Sequence, residues 1–121
     1  MEQVIKSADW PLFCREFSDR NRLRATLLQS IQPVGARLEE RGLPLLGIDL
    51  EQRHQALADL LIMLGDEHRD AEGYSGERRH LCHTVRGVLR ITLKTNQDNT
   101  DHVLEIEASD GEHTLLHLLL P

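Results

Sequence analysis

Trp10, Phe13 and Phe17 recur at i, i+3 and i+7, the spacing of one face of an α-helix. Arg15, Glu16, Asp19 and Arg20 take the other sides. Asp9 is a suitable N-cap, and Pro11 fits a first helical turn, where a missing N–H costs no intrahelical bond. The spacing predicts a helix over about residues 11–20 whose aromatic stripe needs a sheet beneath it. From Leu23 the period shortens to two. Leu23, Ala25 and Leu27 alternate with Arg22, Arg24 and Thr26, as in a half-buried strand closed by Pro33 and Gly35. The following run, Ala36 to Leu50, contains Gly42, Pro44 and Gly47 and reads as short, interrupted strands.

Residues 55–64 fit two periods. Ala56, Leu57, Leu60, Leu61 and Leu64 make a helical stripe with Gly65 as its C′ residue, and propensity favours this reading. The alternative is a strand with Leu60, Ile62 and Leu64 inward. Residues 65–79 are polar, contain Gly73 and Gly76, and read as a mobile loop. Beyond it, Val85, Gly87, Leu89, Ile91 and Leu93 alternate with Arg86, Val88, Arg90, Thr92 and Lys94, the best strand signal in the chain. A hairpin follows, with Val103 to Ala108 and Thr114 to Leu120 joined through Asp110-Gly111, a dipeptide suited to a type I′ turn. That turn would set Ala108 opposite His113, Ile106 opposite Leu115 and Leu104 opposite His117, with Glu107, Glu105 and Val103 facing Thr114, Leu116 and Leu118.

The last strand is apolar on both faces, with Leu116, Leu118 and Leu120 on one side and Leu115 and Leu119 on the other. Such a strand is either central in a doubly covered sheet or part of a subunit interface. Leu116, Leu118 and Leu120 are therefore the candidate interaction face. The elements together predict a single α+β domain over residues 1–121, with sheet segments at about 22–64 and 80–120. An N-terminal helix packs on a five- to six-stranded, strongly bent antiparallel sheet or half-open small barrel of SH3-like or Sm-like architecture.

Composition sharpens this reading. Among 121 residues there are 22 leucines but only four aromatics, the fourth being Tyr74, so the core is aliphatic with one aromatic cluster. The net charge of −6 falls mostly in the second half, and no global cationic field exists to draw nucleic acid or an anionic membrane. The longest apolar runs, Leu60 to Leu64 and Leu118 to Leu120, fall far short of the roughly 18 residues a membrane helix needs. The N-terminus lacks the basic and apolar regions of a signal peptide, and Cys14 and Cys82 read as free thiols. A cytoplasmic location is expected.

Several blocks carry a resemblance: Asp9-Trp10-Pro11-x-Phe13 with Phe17-Ser18, Leu43-Pro44-Leu45 with Gly47-Ile48, His80-Leu81-x-His83-Thr84, and Leu104-Glu105-Ile106-Glu107 running through Asp110-Gly111 to Thr114-Leu115-Leu116. Together they resemble a bacterial family known only as domain-of-unknown-function family 5335. The resemblance implies a stand-alone bacterial domain in which residues 57–64 form a strand, and it implies no activity, substrate or cofactor.

The chemistry-bearing residues are weighed against that background. His80, Cys82 and His83 offer zinc-type or nucleophilic groups, the basis of a metal- or thiol-dependent enzyme. On a strand, however, His80 and His83 point to opposite faces and cannot share an ion. His113 and His117 lie about 13 Å apart along an extended strand, too far for one metal. Neither a P-loop nor a G-x-S-x-G elbow occurs, and Gly73-Tyr74-Ser75-Gly76 is a turn. Nucleotide-stacking platforms need aromatics on strands, and here three of four fall on the helix, which disfavours an Sm-like nucleic-acid binder. Arg86, Arg90 and Lys94 form a basic strip expected to pair with Glu105 and Glu107 across the sheet. No catalytic, metal or cofactor site is expected, and the preferred function is non-catalytic protein–protein association or self-association.

Overall fold

The helix forms where the aromatic spacing places it. In the computed structural model, which describes residues 1–53, 56–65 and 80–119, α1 spans Trp10–Asn21. A 3₁₀ turn, Ser7–Asp9, feeds it, and Asp9 makes no side-chain cap, so the helix is entered through that turn rather than by the expected N-cap. Trp10, Cys14 and Phe17 are buried, and the Phe13 and Phe17 rings stack with centroids 5.6 Å apart. The indole Nε1 of Trp10 donates to Ile5 O at 3.0 Å, satisfying the one polar group of the cluster.

Among the described residues eight strands make one antiparallel sheet, more than the five or six expected: β1 (Glu2–Ile5), β2 (Ala25–Gln32), β3 (Gly35–Glu51), β4 (Asp59–Gly65), β5 (His80–Val85), β6 (Val88–Thr95), β7 (Asp101–Ala108) and β8 (His113–Leu118). Their spatial order is β1-β6-β7-β8-β2-β3-β4-β5, so among the described residues β1 and β5 are the edges and the sheet does not close. The single long strand β3 replaces the expected short pieces. Its first part, Gly35 to Pro44, pairs with β2, and its second, Leu45 to Glu51, pairs with β4. Register irregularities in both pairings bend the sheet around β3, as bulges do.

Where β3 leaves β2, α1 lies beside it. The Ser18 hydroxyl accepts from Ile48 N–H at 2.8 Å, and its own proton sits between Cys14 O at 2.7 Å and Ile48 O at 3.1 Å. One helix side chain thus meets strand groups that no neighbouring strand reaches. The core fills the bend with Leu28, Leu45, Leu60, Ile62, Leu64, Ile91, Leu104, Ile106 and Leu116, all fully buried against Trp10, Cys14 and Phe17.

Residues 59–65 are strand, although propensity favours helix. Leu60, Ile62 and Leu64 are fully buried while Leu61 and Met63 are half-buried, the burial of a strand flanked by β3 and β5. A helix would bury only one stripe, so tertiary pairing overrides local preference here. Gln55, at the head of that ambiguous stretch, His54 before it, and the expected mobile loop, but for Gly65, lie outside the described residues.

The alternation read from residue 85 to 94 also breaks. Arg86 and Gly87 end β5 and redirect the chain, so Val88, Ile91 and Leu93 are buried and Leu89 is exposed. Gly87 has φ +66°, and a Cβ there would stand 2.6 Å from Ser109 Oγ. Its N–H donates to Asp59 Oδ1 at 3.0 Å, and its carbonyl accepts from Ser109 N–H at 2.8 Å. Gly87→Ala should therefore lower stability by about 2 kcal/mol, from left-handed strain of roughly 1 kcal/mol plus displacement of Ser109. Urea denaturation measures this, and an unchanged midpoint would show that the turn relaxes freely.

Early β2 is inverted relative to expectation. Thr26, Leu28 and Ser30 face the core, whereas Ala25, Leu27 and Gln29 are half-buried on the other face. Thr26 Oγ1 donates to Leu43 O at 2.8 Å, and Ser30 hydrogen-bonds Glu112, so the inward polar groups are satisfied.

Candidate interaction surface

The hairpin register decides which leucines are available. Asp110-Gly111 does form the turn, but the loop is Ser109-Asp110-Gly111, with Ala108 N–H donating to Glu112 O at 2.9 Å and Gly111 N–H to Ala108 O at 3.1 Å. Gly111 takes φ +89°, the left-handed position of a three-residue hairpin. The pairing is shifted by one residue from expectation: Glu107↔His113, Ile106↔Thr114, Glu105↔Leu115, Leu104↔Leu116 and Val103↔His117. Leu104, Ile106, Thr114 and Leu116 now share the inner face.

This register corrects the expected interaction face. Leu116 is fully buried and Leu118 is 3% exposed, both within the core. Leu120 lies outside the described residues. Two-sided burial of β8 follows from its place between β7 and β2, with the core on one side and half-buried His113, Leu115 and His117 on the other.

The outward face of the sheet divides into two halves. Across β1, β6, β7 and β8 runs a line of charge: Lys94 Nζ lies 3.4 Å from both Glu2 and Glu105, Glu105 Oε1 lies 3.0 Å from His113 Nδ1, and Arg90 lies 3.9 Å from Glu107. Of the expected basic strip, Arg90 and Lys94 therefore pair with Glu107 and Glu105 and do not form a free cationic surface, whereas Arg86 lies between β5 and β6 and does not join them. Lys94 is pushed above its ordinary pKa, mainly by the Glu105 charge.

Beyond that line, β8, β2 and β3 present aliphatic side chains. Leu115 pairs with Gln29, Gln29 with Leu38, Leu27 with His117, and Ile31 with His113. Leu27, Ile31, Leu38 and Leu115 thus surround Gln29 on adjacent strands. Ile31 and Leu38 are 38% and 54% exposed. The Gln29 amide oxygen accepts from His117 Nε2 at 2.8 Å, which fixes the tautomer of the ring. Burial, then the His102 and Lys94 charges, hold His117 below its usual pKa, so the patch favours the neutral imidazole. Glu105 and Glu107 border the patch on the β7 side, and Arg41 borders it on β3. The sequence pointed to the inner leucines and missed this group, because its members come from three strands distant in sequence, one pairing of which, β2 with β3, is shifted by bulges.

The other candidates separate. His80 and Cys82 are exposed on one face of β5, and His83 is half-buried on the opposite face. Among the described residues no group of three or more His, Cys, Asp or Glu side chains could hold a metal ion. The Cys14 thiol is buried, with its pKa pushed up to about 11 by burial and, secondarily, by the Asp49 carboxylate, so it stays protonated and unreactive at neutral pH. Tyr74 and the turn expected at Gly73-Tyr74-Ser75-Gly76 lie outside the described residues. Among the described residues no helix is long and apolar enough to cross a membrane.

The blocks that carry the family resemblance fall at structural positions: the start of α1, the middle of β3, β5, and the β7–β8 hairpin. They assign no role to any residue of the patch. Comparison of the chain with protein-family models, curated proteins and solved structures found no match.

Proposed function

We propose that the protein acts without catalysis, by self-association through the outward face of β8, β2 and β3. The carrying observation is the patch of three leucines and one isoleucine, Leu27, Ile31, Leu38 and Leu115, set between carboxylates on one side and Arg41 on the other. A two-fold axis running along β2 stacks β3 of one copy over β8 and β7 of the other. Aliphatic groups then meet aliphatic groups, and Arg41 of each copy approaches the Glu105 column of its partner. A surface that is complementary to itself in this way suits the isologous interface of a homodimer.

Sedimentation velocity tests the reading. The wild-type chain should sediment as a dimer at about 50 μM, an ordinary concentration for a micromolar complex. The combined Ile31→Glu and Leu38→Glu variant should be monomeric with its melting temperature within about 2 °C of wild type, since both positions are exposed. Arg41→Glu should weaken the dimer and reverse its salt dependence, so that added salt strengthens rather than weakens association. A wild-type chain that remains monomeric, or a double variant that still dimerises, overturns the proposal.

A further inference from the structure

The first strand and the helix leave a slot between them. Among the described residues β1 has a single strand neighbour, β6. Met1 exchanges both backbone bonds with Thr95, its amino group donating to Thr95 O at 3.1 Å and its carbonyl accepting from Thr95 N–H at 2.9 Å. Antiparallel ladders alternate, and the register runs from Glu2↔Lys94 to Ile5↔Ile91. Gln3 and Ile5 therefore direct their N–H and C=O groups to β6, while Glu2 and Val4 direct theirs away from the sheet.

Beside that free edge lies a cavity of about 350 Å³, walled by Gln3, Ile5 and Leu93 from the sheet and by Leu12, Phe13 and Glu16 from α1. The Trp10–Ile5 hydrogen bond pins the helix to the end of β1, and Leu12 is 51% exposed at the wall. Lys6, which follows β1 and whose carbonyl accepts from Asp9 N–H at 2.9 Å, and Arg20 line the cavity too, and the Arg20 guanidinium is held by Asp101 at 2.7 Å. Asp9 and Glu16 complete the helix rim, and neither meets a basic side chain among the described residues.

We infer that this slot takes an extended peptide as an added strand on β1. Backbone groups of Glu2 and Val4 are a template for a strand-like partner, since a chain in extended form matches donors and acceptors that alternate along an edge. Every second side chain of that peptide enters the slot. Leu12, Phe13 and Leu93 select aliphatic residues there, and the Glu16 carboxylate on the helix rim selects a basic residue beside it. The slot lies away from the outward face of β8, β2 and β3, so it stands or falls independently of dimer formation.

The probe is a short acetylated and amidated peptide in which valine, lysine and valine occupy alternate positions separated by threonine. Titration into isotope-labelled protein should shift the amide signals of Glu2, Val4, Leu12 and Glu16 saturably. Val4→Pro removes an edge donor that the β1–β6 ladder does not use, so it should leave the melting temperature nearly unchanged and weaken binding at least about tenfold. Leu12→Lys, at an exposed wall position, should weaken binding similarly without touching β1. Glu16→Lys should reverse the preference toward the same peptide with glutamate in place of lysine. No saturable shift at millimolar peptide, undiminished binding by Val4→Pro, or shifts at Glu2 and Val4 that grow with protein concentration alone would each overturn the assignment. The last outcome would mean that two β1 edges pair with one another.

Discussion

Leu118→Glu is expected to abolish folding, whereas Leu115→Glu on the same strand should fold and lose only self-association. Leu118 is 3% exposed and sits in the core beside Leu116 and Leu28. Replacing it removes about 2–3 kcal/mol of apolar burial and forces a carboxylate into the core at a further cost of several kcal/mol. Against a total stability of roughly 5–15 kcal/mol, that loss leaves little or no folded protein. Leu115 points to the other face, where it is half-buried next to Gln29 and Glu105. A glutamate there reaches water, so its cost should stay near 1 kcal/mol. Circular dichroism and the fluorescence of the buried Trp10 distinguish the two. A folded, monomeric Leu118→Glu chain would show that the hairpin register is wrong by one residue.

Asp101→Ala should cost about 3 kcal/mol, the largest loss expected from any single polar substitution. Asp101 is 5% exposed, and its Oδ2 accepts from Arg20 Nε at 2.7 Å and from Asn21 Nδ2 at 2.6 Å. Asn21 is itself 1% exposed, and it accepts from Arg24 at 3.0 Å while donating to Phe17 O at 3.1 Å. Arg24 also donates to Asp101 O and Leu119 O, tying the end of α1 to β7 and to the end of β8. Removing the carboxylate strands a buried amide proton, worth about 1–3 kcal/mol, and loses a charge-assisted bond. The Arg20 half contributes little, because that side chain is 47% exposed and screened. Asp101→Asn keeps the shape and one acceptor, and should cost about half as much. Combining Asp101→Ala with Asn21→Ala should cost less than the sum of the two, because each already breaks the same bond. Strict additivity in urea denaturation would show that the two residues act separately.

Much of the fold was legible because its signals are local. The aromatic spacing located α1, Asp110-Gly111 located the last hairpin, and the alternation near residue 90 located a strand. The polar knot around Asp101 was not legible. Asn21, Arg24 and Asp101 are ordinary polar residues in sequence, and only the docking of a helix end against two distant strands makes them buried partners. Asp59 was hidden for the same reason: its Oδ1 bonds Gly87, and Arg53 Nε lies 2.8 Å from its Oδ2 without the alignment of a hydrogen bond. The opposed faces of His80 and His83 were legible, since parity along one strand requires no tertiary information.

By itself the sequence determined an α+β chain with an aromatic helix, antiparallel pairing and an aliphatic core, because these depend on side-chain periods of 3.6 and 2. The tertiary structure alone decided the strand identity of residues 59–65, the bend of β3 and the register of the last hairpin. It also decided that Leu116 and Leu118 face inward while Leu115 joins Leu27, Ile31 and Leu38 outside. The physical reason is common to all of these. Strand faces invert with a one-residue slip, and a slip is set by bulges, loop length and neighbouring strands rather than by the residues of the strand itself.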